Sequence, residues 1–100
     1  MRTNDKRREG IRTRVDYWAL RLNVRPRLVR VRHMTQKWGS CSTSGTVTLA
    51  YDLADRELSF QNFVIAHELL HLRVPNHGKL FKALMTAHVP GWKRHDVKRS

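Results

Sequence analysis

The chain reads as an α+β fold, with a small antiparallel or mixed sheet backed by one buried helix and flanked by others. Three features point there: a helical apolar period before residue 23, two short strand-like runs between residues 28 and 50, and two helical segments parted by Pro75. At 100 residues, one domain spanning 1–100 is expected, because such a length buries a single modest core.

Each element has its own signature. Ile11, Val15, Trp18, Ala19 and Leu22 fall on one face of a helix that Asn23 and Pro26 end. In "RLVRVRHM", Val29, Val31 and His33 alternate with Arg30, Arg32 and Met34, the pattern of a half-buried strand. After a turn at Gly45, the β-branched run from Thr46 to Ala50 predicts a second strand, and "TQKWGSCSTSG" is the segment through which the two would form a hairpin. From Ser59, a good N-cap, to Leu72 no glycine or proline interrupts "FQNFVIAHELLHL". Its apolar positions cover most of the circumference, so the helix is expected to be buried. Pro75 stops it, Asn76 can cap the next helix, and Leu80, Phe81, Leu84, Met85 and His88 give that helix its face before Pro90 and Gly91 close it. The ends, about 1–9 and 94–100, look basic, solvated and frayed.

Charge is distributed unevenly. The net charge is +12, with 11 basic and 3 acidic side chains in residues 1–32, 3 and 4 in residues 33–78, and 6 and 1 in residues 79–100. Attraction to polyanions such as nucleic acid therefore belongs to the flanks, where plain solubility explains the charge equally well. The lone cysteine, Cys41, excludes a disulfide framework and cysteine-rich zinc folds, so any metal must sit on histidines and carboxylates. With no long apolar run, a soluble cytoplasmic protein without a membrane span is expected.

The chemistry is concentrated in "AHELLHLRVPNH", residues 66–77. Histidines four apart project from one helix face, so His67 and His71 can grip one ion. Glu68, one step round the helix, can stay off the ion and take a proton from a water at its open position. Three ionisable groups in a buried helix are costly without a partner, and a divalent cation satisfies all three. A catalytic zinc needs a third protein ligand, and no glutamate follows His71; His77, His88, His95 and Asp96 remain. His77 is the choice, because Pro75 reverses the chain and returns it toward the ion. His88 would lie ~15 Å farther along its helix. One zinc ion per chain is expected on His67, His71 and His77.

"MTQKWGSCSTSGTVTLAYDL", "FVIAHELLHLRVPNHGKLF" and "VPGWK" together resemble the small YgjP/WLM-like zinc metallopeptidases, relatives of SprT-like and minimal zincin peptidases, over about residues 30–93. The resemblance implies a zincin-like fold, zinc on His67, His71 and His77, and Glu68 as the base. It also implies that Trp38 to Cys41 forms an edge strand near the cleft, where Gly39 and Ser40 would align an extended peptide through the main chain. The plainer role, with Trp38 a core aromatic and Gly39 a bulge, outweighs direct contact. Cys41 has no neighbouring base and is not expected to act. Lys82 stands where the family pattern has an aromatic.

The reading is a zinc-dependent hydrolase, a metallopeptidase acting on peptide or protein substrates, with Tyr51 or His88 as candidates for an oxyanion donor. Two alternatives remain at this level: a metal-dependent hydrolase of nucleotides or other phosphorylated compounds, and a nucleic-acid-binding module with a structural metal.

Overall fold

The computed structural model describes residues 5–96. The elements run α1 (Lys6–Leu22), β1 (Leu28–Arg32), β2 (Gly39–Cys41), β3 (Thr46–Ala50), a 3-10 turn (Tyr51–Asp55), α2 (Leu58–Leu70), α3 (Lys79–His88) and a second 3-10 turn (Trp92–His95). No helix among the described residues is long and apolar enough to cross a membrane.

Helix α1 begins earlier than the charge of its first residues suggests. Asp5 accepts from the Arg8 amide and from its guanidinium, so residues 6–9 are helical and not frayed. Residues 1–4 and 97–100 lie outside the described residues. Asn23, at φ 57°, closes α1 by donating to Ala19 and Leu20 carbonyls. Ile11, Val15, Trp18 and Leu22 pack this helix on α2, and the Trp18 indole donates to the Asn62 side chain at 3.0 Å.

The sheet is mixed, in the order β1-β3-β2. β1 runs parallel to β3 and not in the hairpin expected from the sequence, whereas β2 pairs antiparallel with β3. The reason is the turn. Residues 42–45 close tightly, with the Gly45 amide on the Ser42 carbonyl and Gly45 at φ 96°, so the hairpin forms between β2 and β3. The chain from 33 to 38 is then left to carry β1 across to the other side. Val31, Val47 and Leu49 face the helices, and Arg30 and Arg32 face solvent as their alternation predicts.

Helix α2 is the buried helix: Phe60, Phe63, Val64, Ile65, Ala66, Leu69 and Leu70 are all core residues. Its N-cap is Glu57 and not Ser59, whose hydroxyl instead reaches the Glu57 carboxylate, because Leu58 already starts the first turn. Helix α3 likewise starts after Gly78, and Asn76 caps only the turn before it, accepting from the Gly78 amide. Phe81 and Met85 are buried there; Leu80, expected on the same face, is exposed.

Candidate metal centre

The last turn of α2 and the reversal after it bring three imidazoles together. One ligand-capable atom from each of His67, His71 and His77 lies within 4.8 Å of the others. His71 sits at the α2 C-cap but keeps helical dihedrals, so it still projects beside His67. Val74 is tied back to the Leu70 carbonyl, and the turn it begins delivers His77 onto the same spot.

Outer contacts set the tautomers. His67 Nδ1 lies 3.0 Å from Glu68 Oε2, and His71 Nδ1 lies 3.2 Å from the Val74 carbonyl. Both partners are acceptors, so each Nδ1 carries the proton and each Nε2 presents a lone pair. His67 Nε2 then faces His77 Nε2 at 3.2 Å. Lone pairs at that separation repel unless a proton or a cation lies between them. Nitrogens on a tetrahedral zinc stand ~3.4 Å apart; the His67–His77 pair already has about that spacing, and the three donors, all within 4.8 Å of one another, would draw in around such an ion. Burial, and then the neighbouring His67, lower the His71 pKa, which keeps that ring in its neutral, ligating form.

Phe81 is the support that periodicity left unassigned. Its ring, 1% exposed, lies 5.2, 4.7 and 4.8 Å from the His67, His71 and His77 rings. In sequence it was one apolar position among several on α3, and no spacing marks it as the platform beneath the histidines.

Glu68 is largely buried, with a side chain 12% exposed, and leans on β2. A Cβ at Gly39 would stand 2.9 Å from Glu68 Cγ and 3.2 Å from both the Leu49 side chain and the Thr48 carbonyl. Gly39 is therefore the gap that lets Glu68 lie against the strand. Ser40 pairs with Thr48, on the sheet face opposite α2. The Trp38 and Ser42 bonds to β3 fix the alternation of the ladder, so Ser40 turns its backbone toward β3 while Gly39 and Cys41 turn theirs toward the open edge. Burial, followed by the Glu68 charge, raises the Cys41 thiol pKa, and this suits an inert cysteine.

Of the other candidates, Tyr51 lies under the Arg7 and Arg8 guanidinium groups and donates to Asp5. His88 lies near Trp18 and Asn62. Neither is placed to stabilise an oxyanion at the histidines. Asp96, passed over as a ligand in favour of His77, lines two recesses that share His67.

A zincin-like metallopeptidase is the class of protein this helix, edge strand and donor set describe. The sequence matches the model of the YgjP-like metallopeptidase domain over residues 3–98, and the chain belongs to that family; it is a metallopeptidase. Two solved structures are similar in fold. One is the metallopeptidase zymogen jannalysin of Methanocaldococcus jannaschii, with a TM-score of 0.70 and 24% identity over 78% of this chain and 80% of that one. The other is the zymogen abylysin of Pyrococcus abyssi, with a TM-score of 0.74 and 22% identity over 85% and 87%. No curated protein matches the chain significantly.

Proposed function

We propose that the chain holds one zinc ion on Nε2 of His67, Nε2 of His71 and His77, and hydrolyses peptide bonds with Glu68 as general base. The observation that carries this is the convergence of three imidazoles, two of which have their Nδ1 held by an acceptor and their Nε2 left for a ligand. Zinc supplies a Lewis acid that polarises a carbonyl and acidifies water. Glu68 takes the proton of the attacking water and returns it to the departing amine, and the His67 Nδ1–H contact at 3.0 Å holds the carboxylate on that side of the cleft. An extended substrate lies along β2, where the amide and carbonyl groups of Gly39 and Cys41 pair with its main chain. Ser40, whose backbone is committed to β3, is replaced by Cys41 in that role.

Metal analysis of the purified protein beside His77→Ala, with turnover of Glu68→Gln on the same substrates, tests the reading. One zinc per chain is expected, sharply reduced in His77→Ala, while Glu68→Gln keeps the metal and loses about 10³-fold in kcat. Full metal content in His77→Ala would overturn the ligand set, and undiminished kcat in Glu68→Gln would overturn the base.

A further inference from the structure

From Tyr17 to Tyr51 the chain carries five arginines, one lysine and no acidic residue. That stretch spans the end of α1 and all three strands; acidic side chains stand only beyond it, at Asp16 on α1 and Asp52 past β3. A surface built for solubility alone intersperses both signs, and this one does not.

The fold sorts these arginines into two kinds. Arg27 is held through its Nε on the Ser44 carbonyl, and Arg21 lies over the Tyr17 and Trp18 rings. Arg30 and Arg32 are exposed and, among the described residues, make no hydrogen bond or ion pair through their side chains. Both sit on the sheet face turned away from the helices, because Val29 and Val31 alternate with them toward the core. The register sets their neighbours. Arg30 lies beside Thr48 and Thr48 beside Ser40, a row that crosses all three strands at ~4.8 Å per step. The Thr48 and Ser40 hydroxyls are half-buried and, among the described residues, have no side-chain partner. Arg32 stands ~6.6 Å along β1 from Arg30.

Guanidinium forks bind phosphate oxygens in pairs and hydroxyls donate to them singly, so the row presents donors to an anion with no carboxylate among them. Forks spaced along a strand can take successive phosphates of one backbone. No aromatic ring lies on this face to stack an unpaired base, which favours a duplex over a single strand. Leu28 is the one large apolar side chain on it, too little to insert into a lipid headgroup layer. We infer that the open face of the sheet is a docking surface for double-stranded nucleic acid, gripping its phosphodiester backbone without regard to sequence. This surface is separate from the cleft, since Gly39 meets Glu68 on the other face, and a bound duplex leaves the β2 edge free. The inference goes beyond the proposed hydrolysis and needs no metal.

The test is fluorescence anisotropy of the full chain with labelled duplex DNA, duplex RNA and single-stranded DNA of equal length, beside sedimentation with phosphatidylglycerol vesicles. Micromolar binding to duplex is expected near 0.1 M salt, weakening steeply as salt rises. Arg30→Glu with Arg32→Glu should lose roughly tenfold or more in affinity. Lys79→Glu with Lys93→Glu, which changes net charge equally away from the sheet, should lose less than about threefold. Circular dichroism reports whether each variant is folded. Thr48→Val keeps the shape of the side chain and should weaken binding about threefold with the salt dependence unchanged. Equal losses in the two charge-reversed proteins would overturn the surface, because net charge alone would then explain binding. Tighter binding of the single strand, or binding of vesicles without duplex, would overturn the partner. Binding of only one of the two duplexes supports the inference and names its ligand as DNA or RNA.

Discussion

Along the β1 edge of the sheet the Val31 carbonyl is taken by the Arg8 guanidinium and the Val29 carbonyl by Arg12 Nη1 at 3.1 Å, so two arginines one turn apart on α1 cover that edge. Along the β2 edge, Gly39 and Cys41 turn their backbone groups toward a cleft that ends at three imidazoles. An uncovered edge is a liability for association with other chains, and the molecule blunts one and leaves the other where a peptide would be useful. The short length of β2, only Gly39–Cys41, limits its appeal to unrelated strands.

The contrast between the edges can be broken experimentally, and the largest effect should come from the metal. Free zinc at a thousandfold excess over its Kd would stabilise the fold by about 4 kcal/mol, and chelation removes this. Hydrogen exchange after chelation should accelerate around residues 67–78 and leave β1 unchanged; uniform acceleration would mean that the ion supports the whole domain and not one side of it.

Next comes Gly39→Ala. The new methyl meets Glu68 Cγ and two neighbours in β3, so Glu68 must move. A fall of about 10²-fold in kcat/KM is expected, with zinc content retained, because a misplaced base loses its geometry while the imidazoles keep theirs. Retention of full activity would show that Gly39 merely tolerates its surroundings.

A smaller effect belongs to Cys41→Pro, which deletes one outward amide of the open edge at a position where an edge strand tolerates proline. The loss of about 1 kcal/mol, or fivefold in kcat/KM, should appear for extended peptides. No change would place the substrate elsewhere.

The least effect on turnover is expected from Arg8→Ala with Arg12→Ala on the opposite edge: kcat/KM within about twofold of the parent, but more self-association by light scattering, as the carbonyls of Val29 and Val31 are uncovered. If turnover fell as much as in Gly39→Ala, the two edges would not be independent.

How much of this was legible in the sequence depends on the range of each interaction. The pairing of His67 with His71 and the position of Glu68 are properties of one helix, set by 3.6 residues per turn, and the sequence contains all of that information. His77 was reachable because Pro75 limits where a short connection can go. Sheet order was not: β1 and β3 are equally strand-like whether parallel or antiparallel, and the choice falls to a four-residue turn that pairs β3 with β2 first. The start of α1 is not legible in the sequence because its charges mimic a tail, while Asp5 capping and burial of Ile11 make it helical.

The amino-acid order by itself determined the helix that carries His67, Glu68 and His71 within one turn, the lack of any cysteine framework and the basic character of both flanks, since these depend on local spacing and composition. Tertiary structure alone decided that Gly39 makes room for Glu68, that Phe81 underlies three imidazoles, and that Cys41 in place of Ser40 turns its backbone to the open edge. Those facts are contacts between residues far apart in the chain, and no local period encodes which distant neighbour a side chain will meet.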